Sequence, residues 1–177
     1  MDNSFTEIRQ NLFESTDIQK EINWLIEQNR KQLDKLSDKL GSFAEGLDYP
    51  MVKRVLLEYF QMERVGSIKI RKAEDWLEIN VFGYSNAPAE TVIAGGIESY
   101  FRKHHIDYIE EICQKLPNFM PEHASKKIYG IAIFAQGDQN AIDLATQRGI
   151  YTVQSNYDTY TLRSPKHFVP RDFGQAY

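Results

Sequence analysis

Trp76-Leu77-Glu78-Ile79-Asn80-Val81-Phe82 and, after one turn, Thr91-Val92-Ile93-Ala94-Gly95-Gly96-Ile97 decide the fold. The first stretch alternates strictly, with Leu77, Ile79 and Val81 toward one face and Glu78 and Asn80 toward the other, which is the period of a half-buried strand. Ser85-Asn86-Ala87-Pro88 between them reads as a turn. The second stretch is apolar enough for a central strand. Its Gly95-Gly96 pair weakens a strand interior and lets another group approach closely. Upstream, 64–71 alternates around Val65, Ile68 and Ile70 and completes a three-strand meander. Downstream come a helix over 100–116 closed by Pro117 and a buried strand over 127–134. A helix over 139–147 follows, with Gly149 as its stop, then a strand over 150–153 and an edge strand at 160–162. The strand–helix–Gly–strand run predicts a right-handed crossover between parallel strands.

The part before the meander is helical in pattern. Residues 52–60 place Val52, Val55, Leu56 and Phe60 on one face, and Asp48-Tyr49-Pro50 breaks the chain before them. Residues 4–39 contain neither Pro nor Gly. Ile18, Ile22, Leu25 and Leu36 recur at steps of three, four and their sums, with Asn29 in the same series, as in a short coiled-coil seam where a buried Asn sets register. The expected division is a dimerisation helix over 1–40 and a globular domain over 41–177.

Composition narrows the function classes. The 177 residues are 42% hydrophobic and 26% charged, an ordinary globular balance, and the net charge of −4 denies the chain an overall basic footprint. Nucleic-acid binding therefore needs a local cationic patch. Arg102, Lys103, Arg163 and Lys166 are the candidates, with Lys126, Lys127 and Arg171 beside them. The single cysteine, Cys113, lies in a helical pattern as a small core residue and excludes an intrachain disulfide. No signal-like start and no apolar run of bilayer length is present, so membrane insertion is not expected and the cytoplasm is the default compartment. His104-His105 is a poor metal dipeptide, because neighbours on a helix point about 100° apart. Tyr100, Tyr157, Tyr160 and Tyr177 are candidates for an interface.

Four stretches together carry a resemblance: Leu40-Gly41-Ser42-Phe43-Ala44-Glu45, Leu77-Glu78-Ile79-Asn80-Val81, Gly95-Gly96-Ile97-Glu98-Ser99 and Arg163-Ser164-Pro165-Lys166. In that order they resemble the PD-(D/E)XK, restriction-endonuclease-like superfamily, and more narrowly a bacterial family that joins an N-terminal coiled coil to such a domain. The resemblance implies an α/β (α+β) fold with a mixed central sheet flanked by helices and a long N-terminal helix. It implies an Asp at Asn80, a Glu at Gly96, a Lys at Glu98 and a further Glu at Glu45. Carboxylates of two strands then hold Mg²⁺, which activates water and stabilises charge on the phosphate. Here Asn80 is neutral, Gly96 has no side chain and Glu98 inverts the expected sign.

The expectation is accordingly a chain that is not an enzyme. It would be a dimeric protein-binding adaptor, or regulatory factor, that needs no cofactor and meets a protein partner of unspecified identity. Two alternatives stand beside it: a nucleic-acid-binding protein using the remnant groove, and an active Mg²⁺-dependent nuclease in which Glu45, Glu78 and Glu98 converge as a displaced acidic cluster.

Overall fold

The computed structural model describes residues 18–32, 50–156 and 159–174. The chain divides into two compact units, Met1–Phe43 and Ala44–Tyr177. In the first, residues 18–32 form helix α1; the remainder of the helix expected over 4–39, Leu36 included, lies outside the described residues, so a long N-terminal helix is not shown.

The second unit is built on one six-stranded mixed sheet in the order β1-β2-β3-β4-β5-β6. The strands are β1 (Arg64–Lys72), β2 (Asp75–Tyr84), β3 (Thr91–Phe101), β4 (Lys127–Gly137), β5 (Tyr151–Asn156) and β6 (Thr159–Leu162). The first three form the expected antiparallel meander. β3 and β4 run parallel, β4 and β5 run parallel, and β6 returns antiparallel. Helix α2 covers 50–54 and continues as a π-helical turn, Val55–Tyr59. Helices α3 (Lys103–Phe119) and α4 (Gln139–Gln147) make the two crossovers.

Two apolar clusters, one on each face of the sheet, hold these layers together. On one face α3 and α4 bury Ile106, Ile109, Ile112 and Ile142 against Leu77, Ile79, Ala94 and Phe134. On the other, Val52, Val55 and Leu56 of α2 pack on Val81, Ile93, Ile131 and Val153. At about 1.5–3 kcal/mol for each fully buried side chain of this size, these faces dominate the stability of the unit. Cys113 is fully buried among them, its thiol 3.7 Å from the Ala94 carbonyl oxygen. Gly149, at φ 75°, ends α4 as expected, and a Cβ there would lie 2.5 Å from Arg171.

Three local expectations change. The strict alternation of β2 fails at its centre: Gly66 faces Phe82 but Ile68 faces Ile79, so Asn80 and Val81 together oppose Ser67 alone. This bulge turns Val81 away from Leu77 and Ile79 into the opposite cluster. Tyr100 is the penultimate residue of β3 and not a helix start. Pro117 sits inside the last turn of α3, where it withholds the N–H that would bond the Cys113 carbonyl, but the turn closes all the same, the Met120 N–H reaching the Leu116 carbonyl at 2.8 Å.

Candidate functional site

The bulge opens a gap in the sheet. β2 and β3 pair from Tyr84–Val92 to Val81–Gly95 and no further. Beyond that point residues 75–79 of β2 stay with β1, while 96–101 of β3 stay with β4. Gly95 fits β3 tightly against β4, because a Cβ on it would come within 1.7 Å of the Ile131 carbonyl oxygen. The polar residues Glu78, Asn80 and Glu98 border the gap, and Tyr108 of α3 reaches into it, its hydroxyl donating to the Glu78 carbonyl oxygen at 3.2 Å.

Glu98 and His105 form the centre of this region. Nε2 of His105 lies 3.2 Å from the Glu98 Oε2. The Arg102 backbone N–H donates to His105 Nδ1 at 3.0 Å, so the ring proton sits on Nε2 and is donated to the carboxylate. Burial is the main reason that His105 is held neutral, down to about 4, and the neighbouring His104 and Arg102 add to it. The other carboxylate oxygen, Oε1, stands 3.3 Å from where a Gly96 Cβ would be. Glu98 thus folds back over the position at which the resemblance expects an acidic residue. Burial pushes the Tyr108 hydroxyl above its ordinary value, and the carboxylates of Glu78, Glu98 and Glu111 push it further.

Glu78 and Glu98 border one gap but point to opposite faces. Leu77 and Ile79 pack beneath α3, so Glu78 between them points away from α3 and accepts from Lys69 Nζ at 3.1 Å. Glu98 meets His105, a residue of α3 itself. The expected cluster of Glu45, Glu78 and Glu98 is therefore not assembled from the described residues, and Glu45 lies outside them. Among the described residues no three His, Cys, Asp or Glu side chains gather to hold a metal. Mg²⁺ demands near-octahedral hard oxygen ligands. Glu98 turned toward His105 and Glu78 paired on the other face do not fit that requirement by themselves.

The cationic candidates fall at two ends of the molecule. Arg102 lies 5.2 Å over the Tyr100 ring at the start of α3, and Lys103 follows it. Lys103 also borders a cleft of about 360 Å³ with Asp138, Gln139 and Asn140 at the start of α4. Arg163 donates to Gln154 at 2.8 Å and to Gln139 at 3.0 Å, which brings it to the same place. These three cations gather where β3 and β4 end, the side of a parallel sheet where ligands bind. After Arg163 the chain runs the other way: Ser164 accepts the Thr152 N–H, Phe168 packs on Tyr151 and the Arg171 N–H reaches the Gly149 carbonyl. That path carries Lys166 and Arg171 off, toward the start of β5. Lys127 opens β4 at that far end, and Lys126 just before it donates to the Ser85 carbonyl oxygen.

On α1, Ile18, Ile22 and Leu25 are 57%, 44% and 47% exposed, and Asn29 is exposed too. Tyr157 and Tyr177 lie outside the described residues. No described helix is long and apolar enough to cross a membrane. The Glu98–His105 pair was missed from the sequence, because seven positions spanning a strand end and a helix start make no local motif.

No protein-family model matches the chain, and no curated protein does. Among solved structures the chain is similar to EndoMS in its apo form, at 10% identity over 62% of this chain and 46% of that one, with a TM-score of 0.39. It is also similar to a repair endonuclease from Pyrococcus abyssi, at 12% identity over 60% of this chain and 46% of that one, with a TM-score of 0.37. The chain thus spans less than half the length of either. The expectation that the chain is not an enzyme is overturned in this comparison, where one of the two solved structures is a repair endonuclease.

Proposed function

We propose that this nuclease-fold protein acts on nucleic acid, binding a phosphodiester backbone beside the gap between β2 and β3 and hydrolysing it with Glu98. One observation carries the reading: the Glu98 carboxylate is fixed over Gly96 by a neutral His105 that is itself fixed by the Arg102 backbone. A carboxylate oriented in this way accepts a proton from water as the water oxygen bonds to phosphorus and the bond to the leaving oxygen breaks. Arg102, Lys103 and Arg163 hold the adjacent phosphates as cations. Asn80, at the bulge, orients the backbone by hydrogen bonding.

Salt-titrated mobility shifts test the binding half. The wild type should bind oligonucleotides at low salt and lose them steeply as salt rises. Replacing Arg102, Lys103 and Arg163 by Ala should flatten that slope, by about one unit per lost phosphate contact. Glu98→Gln should still bind. A wild type that binds no nucleic acid at low salt overturns the proposal.

A second reading concerns assembly, and the exposed apolar stripe on α1 favours it. A 15-residue helix is marginal alone in water. Ile18, Ile22 and Leu25, with Asn29 setting register, suit a second copy of the same helix. Light scattering of the full chain should report two copies, and one copy for Ile22→Glu combined with Leu25→Glu. A wild type of single-chain mass removes this reading.

A further inference from the structure

Three exposed aromatic side chains border the gap and the cationic end of the sheet: Trp76 at 56%, Tyr108 at 41% and Tyr100 at 39% exposure. Trp76 and Tyr108 both line a cleft of about 200 Å³, to which Glu78 also contributes. Tyr100 stands two residues beyond Glu98 on β3. Two of the three carry a cation over the ring, Lys69 at 5.2 Å from Trp76 and Arg102 at 5.2 Å from Tyr100. None of this exposure is needed by the core, whose aromatic residues Phe82, Phe101 and Phe134 are buried separately.

The geometry points to single-stranded nucleic acid as the substrate class, with a base stacked on Trp76 and the backbone along Arg102, Lys103 and Arg163. This inference rests on the nucleic-acid reading above and adds the form of the substrate. The two rims of the gap differ in charge, and that difference selects the strand number. The Tyr100 rim carries the three gathered cations. On the Trp76 rim Lys69 is paired with Glu78 and Lys115 with Glu111 and Asp75, while Arg71 and Lys72 are turned to the Ala73 and Asn118 carbonyl oxygens. A duplex brings phosphates on both sides, about one charge per 1.7 Å of axis, and the Trp76 rim, whose cations are held by carboxylates or carbonyl oxygens, meets a second backbone less well than the Tyr100 rim meets the first. An uncharged base face needs only an aromatic surface, and a cation behind the ring strengthens that contact. One strand therefore satisfies both rims, with phosphates on one and a base on the other. Stacking tolerates every base, so no strong sequence preference follows.

The test is fluorescence anisotropy with labelled single-stranded oligo(dT) and a duplex of equal length, on full-length wild type, Trp76→Ala, Trp76→Phe and Lys103→Ala. Trp76 is exposed, so its variants fold. The single strand should bind at least tenfold tighter than the duplex. Trp76→Ala should weaken single-strand binding about tenfold at every salt concentration without changing the salt slope. Trp76→Phe should keep most of it, and Lys103→Ala should reduce the slope. In a Trp24→Phe background the remaining indole emission should be quenched on binding. Equal affinity for the duplex, with Trp76→Ala silent, overturns the inference and leaves the nucleic-acid reading standing. Absence of binding to either probe overturns both.

Discussion

Alanine at Gly95 and alanine at Gly96 should do different damage, although the two glycines are neighbours on one central strand. A Cβ on Gly95 would lie 1.7 Å from the Ile131 carbonyl oxygen and 2.7 Å from its carbon, both backbone atoms of β4. Relief requires β3 to move from β4 by more than an ångström, in the parallel pair that joins the two halves of the sheet. Overpacking of this kind costs about 1–3 kcal/mol, and each ladder hydrogen bond lost adds about 1 kcal/mol. With two such bonds lost, the total is roughly 3–5 kcal/mol. In a chain of this size each kcal/mol moves the thermal midpoint by about 2–4 °C, so Gly95→Ala should melt at least about 6 °C lower or fail to fold.

A Cβ on Gly96 meets only the Glu98 Oε1, at 3.3 Å, the far end of a flexible side chain. Gly96→Ala should stay within about 3 °C of wild type, helped by the lower entropy of the unfolded chain. Its effect belongs to the site: the carboxylate shifts and its hydrogen bond from His105 lengthens. Thermal unfolding followed by circular dichroism reads the first effect, and the His105 imidazole resonances read the second. Gly95→Ala as stable as wild type, or an unmoved His105 signal in Gly96→Ala, would refute the reasoning.

Further outcomes follow from burial. His105 is held down to about 4 and His123 is lowered, in both cases chiefly by burial, so the unfolded chain binds more protons than the folded one below about pH 6.5. Stability should be flat above pH 7 and fall as pH drops through 6.5 toward 4. The His105 share is at most about 3 kcal/mol, and the Glu98 carboxylate, which favours the proton, reduces it. Urea unfolding at pH 7.5 and 5.5 checks this, and His105→Gln with His123→Phe should flatten the difference. Burial also pushes the Cys113 thiol well above its ordinary range. It should ignore thiol reagents in the native protein and react at once in urea, as a colorimetric thiol assay would show.

Much of the core was legible because its information is local. The continuous apolar runs of β3 and β4 and the bounds of α4 at Gln139 and Gln147 can be read from neighbouring residues, as can the stop at Gly149. The crossover from β4 to β5 follows from the order of those elements. The centre of the site was not legible, for the opposite reason. Leu77, Ile79 and Val81 alternate perfectly in the chain, yet the register against Gly66 and Ile68 inserts a bulge that only the partner strand dictates. The gap beside Gly96 follows from that bulge. Glu98 and His105 meet because a strand end and a helix start turn toward each other, which no spacing rule records. Comparison with a motif marked Gly96 as a lost acid and Glu98 as a wrong charge, when Glu98 stands over the space Gly96 leaves open. Arg102, Lys103 and Arg163 were legible as cations, but their convergence depends on Gln139 and Gln154 holding Arg163.

The most direct test of the central claim is hydrolysis by the full-length protein. Single-stranded DNA, duplex DNA and RNA should each be incubated with wild type and with Glu98→Gln, with and without Mn²⁺. The account predicts cleavage of at least one substrate by the wild type and its loss, with binding retained, in Glu98→Gln. Intact substrates throughout, or equal cleavage by wild type and Glu98→Gln, would contradict it.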